Sequence, residues 1–349
     1  MGDPITGREL IIGLKKTAAW GTALACGATD GVLILSESIK QTIEDLADDS
    51  LGAYFHHQTD KGKRNVAGNL EAYMRYEGLD VALALIMGTA GVPTIQGATA
   101  AYINSYVMAN EIYGLFATLA MLKKSDVVHE FPSIKLHGFT LSGEMYAPMK
   151  ITLNTLPDKL VTDSVINTAA TMANVTYPDK SNRIIMNSDT TVKINDKSAI
   201  ALADGDKVYP ASFELTFNRP LEGDIVVGAE GIDEPIGTGF PEATLKLTFP
   251  KYDDANHDFF ADWEAFTEKK AEIYLKGTLI EDTYYYDFKI TMPNLKVTDV
   301  DTPAAGPGKI PNSLTFRLLG TDSAPLGMTG ITKPFQIDVT NKRTTDPLA

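Results

Sequence analysis

Cysteine is nearly missing from this chain. Cys26 is the only one in 349 residues, so no internal disulfide framework can hold the fold. Basic residues are in deficit, 31 Lys and Arg against 45 Asp and Glu, for a formal net charge of −14. Such a chain repels nucleic acid unless a local patch reverses the field, and no cluster of basic residues interleaved with aromatics occurs in it. The opening MGDPITGREL lacks the basic-then-apolar order of a signal peptide. Low-complexity blocks and long charge runs are also missing. Residues 81–110 carry no charge, but Gly88, Thr89, Gly91, Pro93, Thr94, Gln96, Gly97 and Thr99 interrupt them. A spanning helix wants about 20 mostly apolar residues, so this segment reads as a short apolar helix over 79–87 followed by a small-residue loop, with no membrane partner.

Reactive constellations are scarce too. His56 and His57 are adjacent; neighbours in a strand point to opposite faces, and no third ligand sits at a metal-binding spacing. His129 and His137 flank a strand and read as surface residues. Cys26 stands in a small-residue stretch as a buried small apolar side chain. The run Ala203-Asp204-Gly205-Asp206 holds only a fragment of a calcium loop, with no closing glutamate, and reads as a solvated turn. No nucleophile elbow, phosphate loop or dinucleotide fingerprint occurs. The acidic pairs Asp48–Asp49, Asp253–Asp254 and Glu281–Asp282 are accounted for structurally; the second opens a predicted helix, where the dipole favours anions. The expectation is a non-enzyme with no metal, no cofactor and no catalytic residue.

What the chain does contain is internal similarity. IKLHGFTLSG (134–143) matches ITMPNLKVTD (290–299), with Ile134, Leu136, Phe139 and Leu141 over Ile290, Met292, Leu295 and Val297. Both alternate with period two, as half-buried strands do. Both slip phase at the same place, beside Gly138 and beside Asn294, residues tolerant of positive φ. The slip predicts a β-bulge in each strand. Upstream, SIKQTIEDL (38–46) resembles SFELTFNRPL (212–221), and NLEAYMRYEG (69–78) resembles TLKLTFPKYD (244–253). A helix follows in each, over 79–87 and within 253–277, then two more strands: 133–142 and 148–156, then 284–299 and 312–319. Three segments in one order with like spacing predict an internal duplication. Each unit would be strand, long loop, strand, helix, strand, strand: an antiparallel sandwich or half-barrel with one packed helix. The divisions are an N-terminal arm over 1–35, a first domain over 36–157 with an insertion around 88–126, a connecting segment over 158–207, a second domain over 208–320 and a C-terminal arm over 321–349.

The opening GRELIIGLKKTAAWGTALACG (7–27), together with RIIMNSDTTVKINDKSAIALADGDKVYPASFELTFNRPLEGD (183–224), EATLKLTFPKY (242–252), KAEIYLKG (270–277) and GKIPNSLTFRLLG (308–320), resembles the tail tube (major tail) proteins of tailed bacteriophages. The resemblance covers most of the chain and rests on order and coverage. It implies β-sandwich domains whose sheets join laterally into a ring, rings that stack into a hollow tube in the virion, and DNA that passes the lumen without specific binding. The implied partners are further copies of the chain, a tape-measure protein, and terminator and tip proteins. Family members with one tube domain are common, whereas two are read here. The rival reading is an acidic β-sandwich adhesin or carbohydrate-binding surface module.

Four expectations follow for assembly. A lumen wall should be net negative or neutral, since a basic wall would hold passing phosphates. The loop after the first strand holds Lys61, Lys63 and Arg64, and its counterpart holds Glu222, Asp224, Glu230, Asp233 and Glu234; these would set the register between stacked rings through opposite charge. Trp20, large among small neighbours, reads equally as an intrachain plug or as an anchor into the next subunit. Two tube domains per chain would let three chains fill six positions in a ring.

Overall fold

The computed structural model describes residues 6–50, 54–56, 58–123, 127–253, 259–304 and 306–349. His57 and Asp254, named above, lie outside them. The first half contains β1 (Ile11–Thr17), β2 (Ser36–Glu37), β3 (Lys40–Ala47), β4 (Thr59–Tyr73), α1 (Asp80–Met87), β5 (Gly88–Thr89), β6 (Thr94–Ile95), β7 (Tyr102–Met108), β8 (Phe116–Leu122), β9 (Val128–Glu144), β10 (Lys150–Pro157) and α2 (Ala169–Met172). The second contains β11 (Thr191–Asp196), β12 (Lys207–Val208), β13 (Ser212–Asn218), β14 (Leu221–Glu222), β15 (Ile236–Gly237), β16 (Glu242–Phe249), α3 (Phe260–Glu264), β17 (Lys269–Glu281), β18 (Tyr284–Asp301), β19 (Asn312–Leu318) and β20 (Gln336–Asn341). The fold is mainly β, with antiparallel sheets of the sandwich type that do not close into a barrel.

Two runs of strands share one order. In the first half β2 and β3 pair β4, β4 pairs β10, and β10 pairs β9. In the second, β13 pairs β16, β16 pairs β19, and β19 pairs β18. The two runs are joined, because β13 also pairs β9 from Ser212 opposite Glu144 to Asn218 opposite Gly138. One row of paired neighbours runs Glu37, Leu70, Leu153, Phe139, Phe217, Ala243, and the pair Leu318–Leu295 lies just beyond the Thr244–Arg317 pair that begins the next ladder. All but Glu37 are buried. Directly opposed residues share a face, so alternation in eight strands builds one continuous apolar face. Across the core, β1 pairs β8 and β8 pairs the start of β9; likewise β11 pairs β17 and β17 pairs the start of β18.

Both predicted bulges are present. Between β10 and β9 the register steps from Asn154–Gly138 to Thr155–Leu136; between β17 and β18 it steps from Lys269–Leu295 to Ala271–Met292. Neither Gly138 nor Asn294 has positive φ. Gly138 is needed for closeness instead, since a Cβ there would lie 2.5 Å from the Phe217 carbonyl oxygen.

The predicted helix over 79–87 is α1. Its apolar residues surround the axis, and it is buried nearly all round, as such a pattern requires. It ends at Gly88, whose φ of 85° suits a residue without Cβ. The helix predicted within 253–277 is cut short by a strand. Among the described residues of that segment only Phe260–Glu264 is helical; Lys269–Glu281 is β17, with Ala271, Ile273 and Leu275 buried at period two. That alternation overrides the acidic start and the terminal glycine. The long loop predicted to hold Lys61, Lys63 and Arg64 is also a strand, because β4 begins at Thr59 and forms an exposed hairpin with β3.

Candidate assembly surfaces

The polar face of the eight-strand run is built by the residues between the core positions. One row reads Ser36, Glu71, Thr152, Thr140, Thr216, Thr244, Arg317, Lys296. Across the face, Glu71, Glu144, Glu214, Glu242, Asp299 and Asp301 stand against Lys150, Lys246, Lys296 and Arg317, among Thr, Ser and Asn. Despite the −14 of the whole chain, this face is only slightly negative, with no basic patch to hold a phosphate.

The seam between the runs is closely fitted. Arg219 N donates to His137 O at 2.8 Å and Met145 N to Ala211 O at 3.0 Å, bracketing the ladder. Thr140 and Thr216 hydroxyls lie 3.5 Å apart on the polar face. On the apolar face Phe139, Phe217 and Phe335 form a three-ring cluster, with centroids 5.4–6.0 Å apart. Each such contact adds about 0.5–1.5 kcal/mol beyond burial. The Arg219 guanidinium is buried and donates to the carbonyls of Asn110 and Ala109 at 2.8 and 3.0 Å, tying the seam to the insertion.

The sheet leaves two edges. Among the described residues, β18 from Lys296 onward pairs only β19, and β2 pairs only β4. Leu35, beside β2, is 41 % exposed.

The charged residues expected to act between rings fall into two groups. Lys61, Lys63 and Arg64 are exposed on β4, where Lys61 faces Asp45 and Arg64 faces Ile43 of β3. The acidic segment folds back onto its own chain. Glu234 Oε1 accepts from Lys135 Nζ at 2.7 Å and from Gly114 N at 2.6 Å; Glu230 is 3.7 Å from Lys159; Asp233 Oδ1 accepts from Asp224 N at 2.7 Å. Glu222, Asp224, Glu230 and Asp233 remain exposed, whereas Glu234 is half-buried. Trp20 joins this segment, its indole N–H donating to Ile232 O at 2.9 Å and its ring standing edge-on to Phe116 at 5.3 Å. The half-exposed ring edge is what an adjacent subunit could touch.

Several buried groups were not readable beforehand. Lys135 sits at a polar position of an alternating strand yet is buried, with Ile112 O as second acceptor at 2.9 Å; burial lowers its pKa, opposed by Glu234. Asp158 accepts from Lys159 N and Ser133 N, and burial raises its carboxyl to about 6. Cys26 is buried, as read, and burial pushes its thiol up to about 12. His129 and His137 are half-buried within β9 rather than flanking a strand at the surface, because β9 runs longer than the alternating segment that suggested it. Asp204 takes Lys193 at 3.3 Å and Lys207 at 3.1 Å, so the calcium-like fragment is a charge-paired turn. Among the described residues no His, Cys, Asp or Glu cluster could hold a metal, and no helix is long and apolar enough to cross a membrane.

The geometry is that of sheets extended edge to edge, with exposed hairpins and one polar face of slight negative charge. Comparison with curated proteins gives no match. A family model described as phage tail tube protein matches residues 7–318, nearly the whole chain. A family so named implies self-assembly into a tube in the virion tail and gives the adhesin reading no support. The chain belongs to the phage tail tube protein family, and its role is structural.

Proposed function

We propose that the chain carries two tube units in tandem and that three chains close a pseudo-sixfold ring, with rings stacking into a conduit for genome ejection. One observation carries this reading: the first unit's sheet continues into the second through β9 and β13 within one chain. That is the lateral contact a tube wall repeats. The shared strand order, the paired bulges and the matching β1–β8 and β11–β17 pairs support a duplication. The first unit spans 36–157 and the second 208–320. The flanking 1–35 and 158–207 segments contribute β1 and β11, and the 321–349 arm contributes β20.

In this reading the slightly negative face lines the lumen, and DNA passes without specific binding. A tape-measure protein occupies the lumen before DNA, with terminator and tip proteins at the ends. The β3–β4 hairpin and the 222–234 segment project toward neighbouring rings. The half-exposed edge of Trp20 serves as a minor contact with the next subunit. The protein has no catalytic role.

Electron microscopy of the purified chain, with native mass spectrometry of released rings, tests this. Rings with a central hole and a mass of three chains are expected. Six chains per ring would overturn the tandem-ring reading, and persistent monomers would overturn lateral closure.

A further inference from the structure

The fold brings two arginines face to face. Arg75 follows β4, Arg183 lies in the connecting segment more than a hundred positions later, and the two are direct partners in an antiparallel bridge. Tyr76 N donates to Asn182 O at 3.1 Å and Ile184 N to Met74 O at 2.9 Å. These bonds flank the pair, so Arg75 and Arg183 hold a non-hydrogen-bonded position, where opposed side chains approach most closely. Like charges placed in this way are destabilising. Met149 N also donates to Ile184 O at 2.9 Å, so the segment is fixed between the end of β4 and the turn after β9.

The chain supplies this pair with no counter-charge. Among the described residues neither guanidinium forms an ion pair, and that of Arg183 makes no hydrogen bond; it lies over the Tyr73 ring, 5.4 Å from the centroid. Arg75 donates from Nη1 to Lys180 O at 2.5 Å. Arg75 is 9 % exposed, and its Nε is buried without a partner. Burial, and then the Arg183 charge, lower the Arg75 pKa. Asp179 is the carboxylate that opposes them, but its Oδ1 accepts from Ser181 N at 2.8 Å. Lys150, next along the same face, is already paired with Glu71 at 3.4 Å. A buried donor of this kind calls for an ion or a water, and water would leave the two charges uncompensated.

We infer that Arg75 and Arg183 form an oxyanion site that takes phosphate, either free or carried on a nucleic-acid backbone. Guanidinium forks match phosphate oxygens two bonds at a time. The Tyr73 ring steadies one fork by a cation–π contact and Lys180 O steadies the other, so both are placed before the ligand arrives. Arg75, Lys180 and Arg183 stand against Asp179 alone in this stretch, which suits a dianion better than a single carboxylate. The site lies beyond the Tyr73–Lys150 pair, past the end of the eight-strand run, whose own face has no basic patch. A bound phosphate would clip the connecting segment to the first unit. The inference stands whether or not the ring reading holds.

Calorimetric titration of sodium phosphate into the full chain, at an ionic strength held constant with chloride, should show saturable binding. Arg183 is exposed, so Arg183→Gln should stay folded by circular dichroism while removing one fork. Its phosphate affinity should fall about ten- to a hundredfold, the loss expected of a charge-assisted hydrogen bond. Arg75→Lys keeps the charge but not the fork, and should also bind more weakly. A fluorescently labelled DNA duplex separates the two sources. Salt-sensitive duplex binding that Arg183→Gln abolishes assigns the phosphate to a nucleic-acid backbone; phosphate binding without duplex binding assigns a free oxyanion. A wild-type chain that takes neither phosphate nor duplex overturns the site. So does a folded Arg183→Gln chain that binds them as well as wild type.

Discussion

Lys135 and Glu234 lie 99 positions apart in the chain and 2.7 Å apart in space, with the lysine 1 % and the glutamate 12 % exposed. The contact joins β9 to the segment after β14, so an acidic residue that looked free for a neighbouring ring serves instead as an internal fastener. Glu234→Ala should leave a buried ammonium with one carbonyl acceptor. Breaking a buried pair from one side costs about 3–5 kcal/mol. Urea denaturation of the monomer should show a loss of that size, and Lys135→Met/Glu234→Leu should recover most of it.

Gly138→Ala is expected to strain the internal seam, because the added methyl would approach the Phe217 carbonyl oxygen to 2.5 Å. Overpacking of this kind costs about 1–3 kcal/mol. Asn294→Ala, at the bulge between β17 and β18, adds no atom and loses the long Nδ2 bond to Gly320 O at 3.3 Å, so it should cost less. Thermal melts of the two variants side by side read the difference.

Asp158 makes stability depend on pH. Burial raises its carboxyl from 3.8 to about 6, so folding favours the protonated form. Its contribution is fully present below pH 3.8 and is lost as pH rises through about 6. The cost at neutral pH is about 3 kcal/mol. Asp158→Asn keeps an acceptor for Ser133 N and Lys159 N. It should stabilise the chain at pH 7.5, with a gain that shrinks toward pH 4 in denaturant titrations.

Reversing Lys61, Lys63 and Arg64 to Glu tests stacking. These side chains are exposed and one faces Asp45 across the hairpin, so the monomer should stay folded by circular dichroism. Tube growth followed by light scattering should slow at low salt, and the difference should fade as salt screens it. Unchanged growth at low salt would remove these residues from the stacking contact.

Legibility in the sequence followed the physics of alternation. Period two told which face each side chain takes, and a phase slip located both bulges, at Gly138 and Asn294. Alternation does not fix register along the partner. Matching Ser38 to Ser212 aligns Ile43 with Phe217, whereas the rows Ser36–Glu71–Thr152–Thr140 and Thr216–Thr244–Arg317–Lys296 put Ser36 at the place of Thr216 and so Glu37 at that of Phe217. A slip of six residues keeps every side chain on its face, so the match looked sound. Lys135 and Arg219 were hidden for a different reason. Their partners lie far along the chain, Lys135 under Glu234 and Ile112 and Arg219 against Ala109 and Asn110, and no local pattern encodes that cover. The 269–281 strand was misread because an acidic start and a glycine stop outweighed Ala271, Ile273 and Leu275.

The strand β20 sets an order of events during synthesis. It pairs β18 on one side and β7 on the other, and Asn341 donates from Nδ2 to Tyr76 O at 2.7 Å and to Asp80 at 3.0 Å. The insertion near residue 105 and the start of α1 thus wait for a strand more than 200 positions later in the chain to leave the ribosome. At about 5–20 residues per second, the first unit spends on the order of ten seconds or more without its final strand. A chain truncated before β20 therefore lacks the strand that finishes its first half.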